Sequence, residues 1–165
     1  MIRKTTLSDI ASVMEVIADA QLRLRNAGVD QWQDGYPTAD IIASDIARGE
    51  SFVYIANNQV IATAVISFAP EPTYAIIDGQ WMDNAPYVVI HRLAVRAGFE
   101  RLGLALKMFN FAHNAAIELG ITSARVDTHR DNIAMQNLLD RQGYKLCGEI
   151  TLQSGAKRIA YQKQL

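Results

Sequence analysis

Apolar positions along this chain change their period several times, and each change marks an element. Val13, Ile17, Ala20 and Leu24 recur three or four residues apart, one face of a helix, until Gly28 ends the run, with Ser8 as the expected N-cap. Ile41, Ile42 and Ile46 predict a shorter helix stopping near Gly49. Two β-rich runs, 51–56 and 60–68, flank Asn57-Asn58, a pair suited to a hairpin turn. Residues 69–72 break the second run, 74–77 extend the sheet, and 78–85 form a loop. Residues 87–95 are apolar on both faces, which predicts a central strand rather than an edge. A helix follows over 102–119, with Leu102, Leu106, Phe109, Ala112, Ala116 and Leu119 on one side and Gly120 closing it. The chain then reads as a strand at 122–128, a helix at 132–142 stopped by Gly143, and strands at 144–152 and 156–163. With a weak strand in residues 1–6, this order predicts one mixed α/β sheet with helices on both faces.

Composition narrows the class. A chain of 165 residues fits one domain, 1–165, large enough to bury a core without staples. A net charge of −1 argues against a nucleic-acid binder, which needs a basic surface. The lone Cys147 excludes an internal disulfide and a multi-cysteine zinc site. No stretch reaches the ~20 apolar residues of a membrane span. The first residues lack the apolar core of a signal peptide. A cytoplasmic protein with no membrane association is the expectation.

The segment after the central strand carries the most chemistry. Gly98 and Gly103 sit in a tight loop that opens onto a helix N-terminus, where backbone N–H groups and the helix dipole can bind an anion such as a pyrophosphate. The bland alternative is an ordinary β–α loop. His91 on the preceding strand is titratable near neutral pH. Asp127, His129 and Asp131 match no common metal spacing, so no metal is expected. His113 reads as a packing residue and Cys147 as an inert thiol. A Walker lysine and a GxGxxG fingerprint are both missing, which counts against a nucleotide-binding domain.

Three segments in order resemble the GNAT superfamily of acyl-CoA-dependent N-acyltransferases. They are Ile2–Asp9 as first strand and helix entry, His91–Leu106 as the acyl-CoA motif, and Asn132 through Gly143-Tyr144 as the later helix ending in a Gly-aromatic pair. The resemblance covers essentially the whole chain. It implies a single domain with a central mixed sheet of about six or seven strands and about four helices. It also implies transfer of an acetyl group from acetyl-CoA to a primary amine of a small molecule or peptide, by direct attack with both substrates bound. The last two strands are where such folds pair, so a homodimer is open.

On that resemblance, Arg101, Leu102, Gly103, Leu104 and Ala105 form the pyrophosphate cradle. Leu93, Ala94, Val95, Asn132 and Met135 are further cofactor contacts, with helix capping as the rival role for Asn132 and Asp131 as an alternative cap. Lys107 either reaches the cofactor's 3′-phosphate or is solvated. His91 lies four residues before Val95, as in the branch resembling arylalkylamine N-acetyltransferases, and is the candidate base; the rival role is a core histidine bonded to a backbone carbonyl or to Tyr87. Alternation places 89, 91, 93 and 95 on one face unless a bulge intervenes. Trp32, Tyr36 and Tyr87 are candidate acceptor-site aromatics, Trp81 a weaker one. Two departures stand out. Glu100 occupies a position where the family usually has Gln or Arg, and Leu139 replaces a tyrosine thought to protonate the leaving thiolate. Both favour the rival reading, a non-catalytic acyl-CoA-binding or sensor module.

Overall fold

The computed structural model describes all 165 residues. Twelve of its segments are β1 (Ile2–Lys4), α1 (Ile10–Asn26), α2 (Ala39–Ala47), β2 (Ser51–Ala56), β3 (Gln59–Ser67), β4 (Asp78–Gly79), β5 (Tyr87–Val95), α3 (Leu104–Glu118), β6 (Ser123–Thr128), α4 (Ile133–Arg141), β7 (Lys145–Thr151) and β8 (Lys157–Gln164). The strands form one mixed sheet in the order β1-β2-β3-β5-β6-β8-β7-β4, eight strands where six or seven were expected. β5 and β6 pair in parallel; the pairs β1–β2, β2–β3, β6–β8, β7–β8 and β4–β7 are antiparallel. No helix is long and apolar enough to cross a membrane.

Contacts group the chain into two compact units, Met1–Ile66 with Ile90–Phe111, and Ser67–Val89 with Ala112–Leu165. In the first unit the β2–β3 hairpin turns at Asn57-Asn58, both with positive φ, as the tight turn that matches strand twist requires. One cluster buries Val13, Val16, Ile17 and Ala20 of α1 against Ile42, Val53, Val60 and Ala94. Another joins Ile61, Ala62 and Ala64 of β3 to Leu104 and Met108 of α3, with Leu93, Val95 and Phe99 at its edge. At the end of β5, Leu93 and Val95 border the second cluster while Ala94 enters the first, as alternation on a covered sheet demands.

The cap of the first helix differs from expectation. Ser8 lies inside a 3-10 turn, Leu7–Asp9, ahead of α1. Thr6 caps that turn, its N–H and hydroxyl both donating to Asp9 Oδ2 at 2.8 and 2.7 Å, and Asp9 is the N-cap of α1. Asp9 also takes a two-pronged bond from Arg3, which holds its carboxyl well below the usual range.

In the second unit, Tyr74, Val89, Ile150 and Ala160 form the core cluster. Residues 74–77 form no strand: a 3-10 turn spans 72–74, started by Pro72 with the Glu71 carboxylate accepting from Thr73 N, and 75–77 are irregular. The predicted loop after it contains the two-residue strand β4.

Candidate active site

The hydrogen-bond register between β5 and β6 runs from Tyr87 with Ser123 to Val89 with Arg125 and stops there. Three residues further on, Arg92 has φ +50°, a left-handed backbone in the middle of a strand. Simple alternation across 89, 91, 93 and 95 is therefore interrupted at Arg92. His91 precedes this kink and is half-buried. Leu93 and Val95 follow it and border the α3 cluster, while Ala94 joins the α1 cluster.

The loop after β5 is held from α1. Arg23 donates to Val95 O at 2.7 Å and to Glu100 at 2.9 Å, and Asp19 accepts from Ala97 N at 2.8 Å. Glu100 also accepts from Gly98 N at 2.7 Å. Its own backbone N–H, followed by that of Gly98 and by Arg23, holds its carboxyl below the ordinary value. The Glu100 charge thus has Arg23 as its counter-cation and takes up the Gly98 N–H.

Gly98, Arg101 and Gly103 have φ of +83°, +62° and +72°. Left-handed residues placed between right-handed ones turn successive N–H groups toward one side, the concave shape that receives anions. The first helical bond of α3 is from Lys107 N to Gly103 O at 2.9 Å. The N–H groups of Leu104, Ala105 and Leu106 precede it and have no intrahelical acceptor. The side chains of Arg101 and Leu102 are exposed. This backbone fits a phosphate group. Lys107, for which two roles were open, sits with Nζ 5.6 Å from the Tyr54 ring centre.

The candidate acceptor residues already have structural partners. Trp32 packs against the α1 cluster, and the Tyr36 hydroxyl bonds the Arg92 guanidinium. In the second unit, the Tyr87 hydroxyl accepts from Glu71 N at 3.1 Å, and its ring faces the Arg125 guanidinium at 4.0 Å. Asn132 caps α4 by accepting from Met135 N at 3.2 Å, which is the capping role foreseen for it. Leu139 is fully buried. His113 is buried beside Tyr144, with Nε2 2.8 Å from the hydroxyl, and burial together with the Lys163 charge lowers its pKa to about 4. Burial pushes the Cys147 thiol up, so the thiol form is favoured. No group of three or more His, Cys, Asp or Glu is placed to hold a metal ion.

Asp45 was missed at the sequence level. Its carboxylate is fully buried on α2 and binds Arg92 through two bonds, Nε to Oδ2 at 2.8 Å and Nη2 to Oδ1 at 2.7 Å. The available signal was its spacing, because it lies four and three residues beyond Ile41 and Ile42 and therefore on the apolar face.

A kinked strand leads through a left-handed loop into a helix N-terminus, a backbone suited to a phosphate-bearing carrier. The sequence model of the Acetyltransferase (GNAT) family matches residues 17–144, and the chain belongs to that family; it is an acyltransferase. A crystallised GNAT-family acetyltransferase from Streptococcus agalactiae 2603 is 33% identical, with a TM-score of 0.89 over 100% of this chain and 95% of that one. An uncharacterized N-acetyltransferase, YesJ of Bacillus subtilis (strain 168), is 26% identical over 85% of this chain and 78% of its own length. The PaiA N-acetyltransferase of Thermoplasma acidophilum, crystallised with coenzyme A, shares the fold at 12% identity, with a TM-score of 0.72 over 100% of this chain and 98% of that one.

Proposed function

We propose that this acetyltransferase moves the acetyl group of acetyl-CoA onto a primary amine of a small molecule or peptide while both are bound. The observation that carries the reading is the backbone of residues 101–106, where left-handed Arg101 and Gly103 lead into α3 and the N–H groups of Leu104, Ala105 and Leu106 precede the first helical bond. In this reading the N–H groups around Arg101–Ala105 hold the pyrophosphate. Leu93, Ala94 and Val95 hold the pantetheine arm, and Val95 N–H meets the developing oxyanion. Asn132 and Met135 add contacts to the arm, and Trp32, Tyr36 and Tyr87 favour an acceptor with an apolar or aromatic body. No metal takes part.

His91 removes the proton of the attacking amine. The amine nitrogen forms its bond to the acetyl carbon, the carbon–sulfur bond breaks, and the electron pair leaves on the CoA sulfur. Leu139 cannot donate a proton, and a thiol of pKa ~8.5 leaves tolerably as the thiolate.

The first test is thermal unfolding with acetyl-CoA, CoA, ATP and NAD in parallel. Ligand at 100 times its Kd stabilises by about 2.7 kcal/mol, or roughly 5–10 °C for this size. A shift confined to the two CoA species is the expected result, and no shift with either would end the reading. His91→Ala then loses roughly 100-fold in kcat at neutral pH and recovers in part at high pH. An unchanged rate would remove His91 from the base role.

A further inference from the structure

We infer that Asp45 is a positioning residue. It holds the left-handed kink of β5 at Arg92, and through it the orientation of His91 and of the Leu93–Val95 backbone. The inference rests on the proposed roles of that strand.

Arg92 has a φ that residues with a side chain seldom adopt, in a strand that is otherwise extended. A kink of this kind re-aims the side chains and peptide groups beside it, and the residues beside it are His91 and Leu93. Left to itself, a non-glycine residue there relaxes toward negative φ. Arg92 is restrained at the far end of its side chain instead. Two of its nitrogens meet the two oxygens of Asp45, a third meets the Tyr36 hydroxyl, and the guanidinium lies 5.9 Å from the Tyr36 ring centre. Such a fork fixes direction as well as distance.

The other end of the fork is also fixed. Arg48 makes its own bond to Asp45 Oδ1 and is tied to Ser44 Oγ at 2.6 Å and to Glu50 at 2.7 Å. Asp45 is fully buried, so moving away from Arg92 would leave a charge without its partner in the interior. Burial opposes the Arg92 cation, yet Tyr36 and Asp45 outweigh it and raise its pKa above the ordinary value. Arg92 therefore stays cationic throughout the working range of pH. Tyr36 also anchors the 31–37 loop, since its carbonyl accepts from Gln21 Nε2 at 2.9 Å. One carboxylate on α2 thus restrains both the kink and a candidate acceptor residue.

The test compares Arg92→Ala, Arg92→Gly and Asp45→Asn by CoA affinity in calorimetry and by the His91 ring signals in ¹H–¹⁵N NMR. Asp45→Asn and Arg92→Ala are expected to weaken CoA at least tenfold and to move the His91 signals. Arg92→Gly loses the same fork but accepts positive φ without a Cβ penalty. It should therefore bind CoA within threefold of wild type, with His91 restored. Arg92→Ala binding as wild type with unmoved His91 signals would overturn the inference, as would Arg92→Gly behaving no better than Arg92→Ala. Either result would make the fork a stabilising contact only. If Arg92→Ala does not fold, Asp45→Asn against Arg92→Gly makes the same comparison. If the wild-type chain binds no CoA, the acetyl-CoA reading falls and the His91 signals alone decide.

Discussion

Arg92 in the first unit and Arg125 in the second are both arginines turned into the protein, and they are held by different physics. Arg92 answers a buried carboxylate with two parallel bonds. Arg125, 5% exposed, lies 4.1 Å from the Trp81 ring centre and 4.0 Å from that of Tyr87, donates to Asp83 O at 2.7 Å, and leaves Nε without a partner. Ring faces attract a cation over a broad area and fix its plane but not its angle within that plane. A carboxylate fork fixes both. The fork stands where a strand has to be bent, and the sandwich stands where a ring layer has only to be filled.

The sharpest way to break the contrast is to remove one partner from each. Asp45→Ala leaves Arg92 and Arg48 facing an empty interior position and should cost about 3–5 kcal/mol. That is a fall of roughly 10 °C or more in Tm for a chain of this length. Trp81→Ala removes one face of the sandwich, and its indole N–H no longer reaches Tyr74 O. With the second ring and the Asp83 bond still present, a smaller loss of about 2–3 kcal/mol is expected. Denaturant unfolding of the two variants checks the order. An equal or reversed ranking would mean that the Asp45 fork stabilises the fold no more than the ring sandwich does.

Both arrangements bear on what could be read from the sequence. The β2–β3 hairpin, β5 and α4 were legible because Asn57-Asn58, the apolar run 87–95 and the Asn132 to Gly143 bracket act locally. The anion loop was legible from Gly98 and Gly103 ahead of a helix and the family resemblance supplied its ligand, while the partners of Glu100, Arg23 and Gly98 N, could not be seen. Non-local features stayed hidden. β4 is two residues held by its pairing with β7, where a Cβ on Gly79 would stand 2.2 Å from Cys147 O. Asp45 reads as a solvated acid until Arg92, 47 residues away, is folded against it. The kink at Arg92 has no local signature at all, since an arginine gives no sign of positive φ.

His113 offers a third solution, burial without charge, and it responds to pH as the arginines cannot. Its folded pKa of about 4 lies below the ordinary value of 6.5. The unfolded chain therefore binds the proton first as pH falls, and stability drops between pH 6.5 and 4. A loss of about 3 kcal/mol across that window is expected. His113→Gln should flatten the dependence, read as Tm against pH. The same slope in both proteins would mean that His113 is not the group that titrates in this window.

The smallest effect should come from Tyr36→Phe, and it separates the fork from its accessory bond. The variant removes one hydroxyl from Arg92 while leaving both Asp45 bonds and the ring in place. A single hydrogen bond with a partly exposed partner contributes about 0.5–1.5 kcal/mol, so Tm should fall by roughly 1–5 °C. The kink, and with it CoA affinity, should stay at the wild-type level, because the two Asp45 oxygens alone set the direction of the guanidinium. A large loss of affinity in Tyr36→Phe would move control of the kink from α2 to the 31–37 loop.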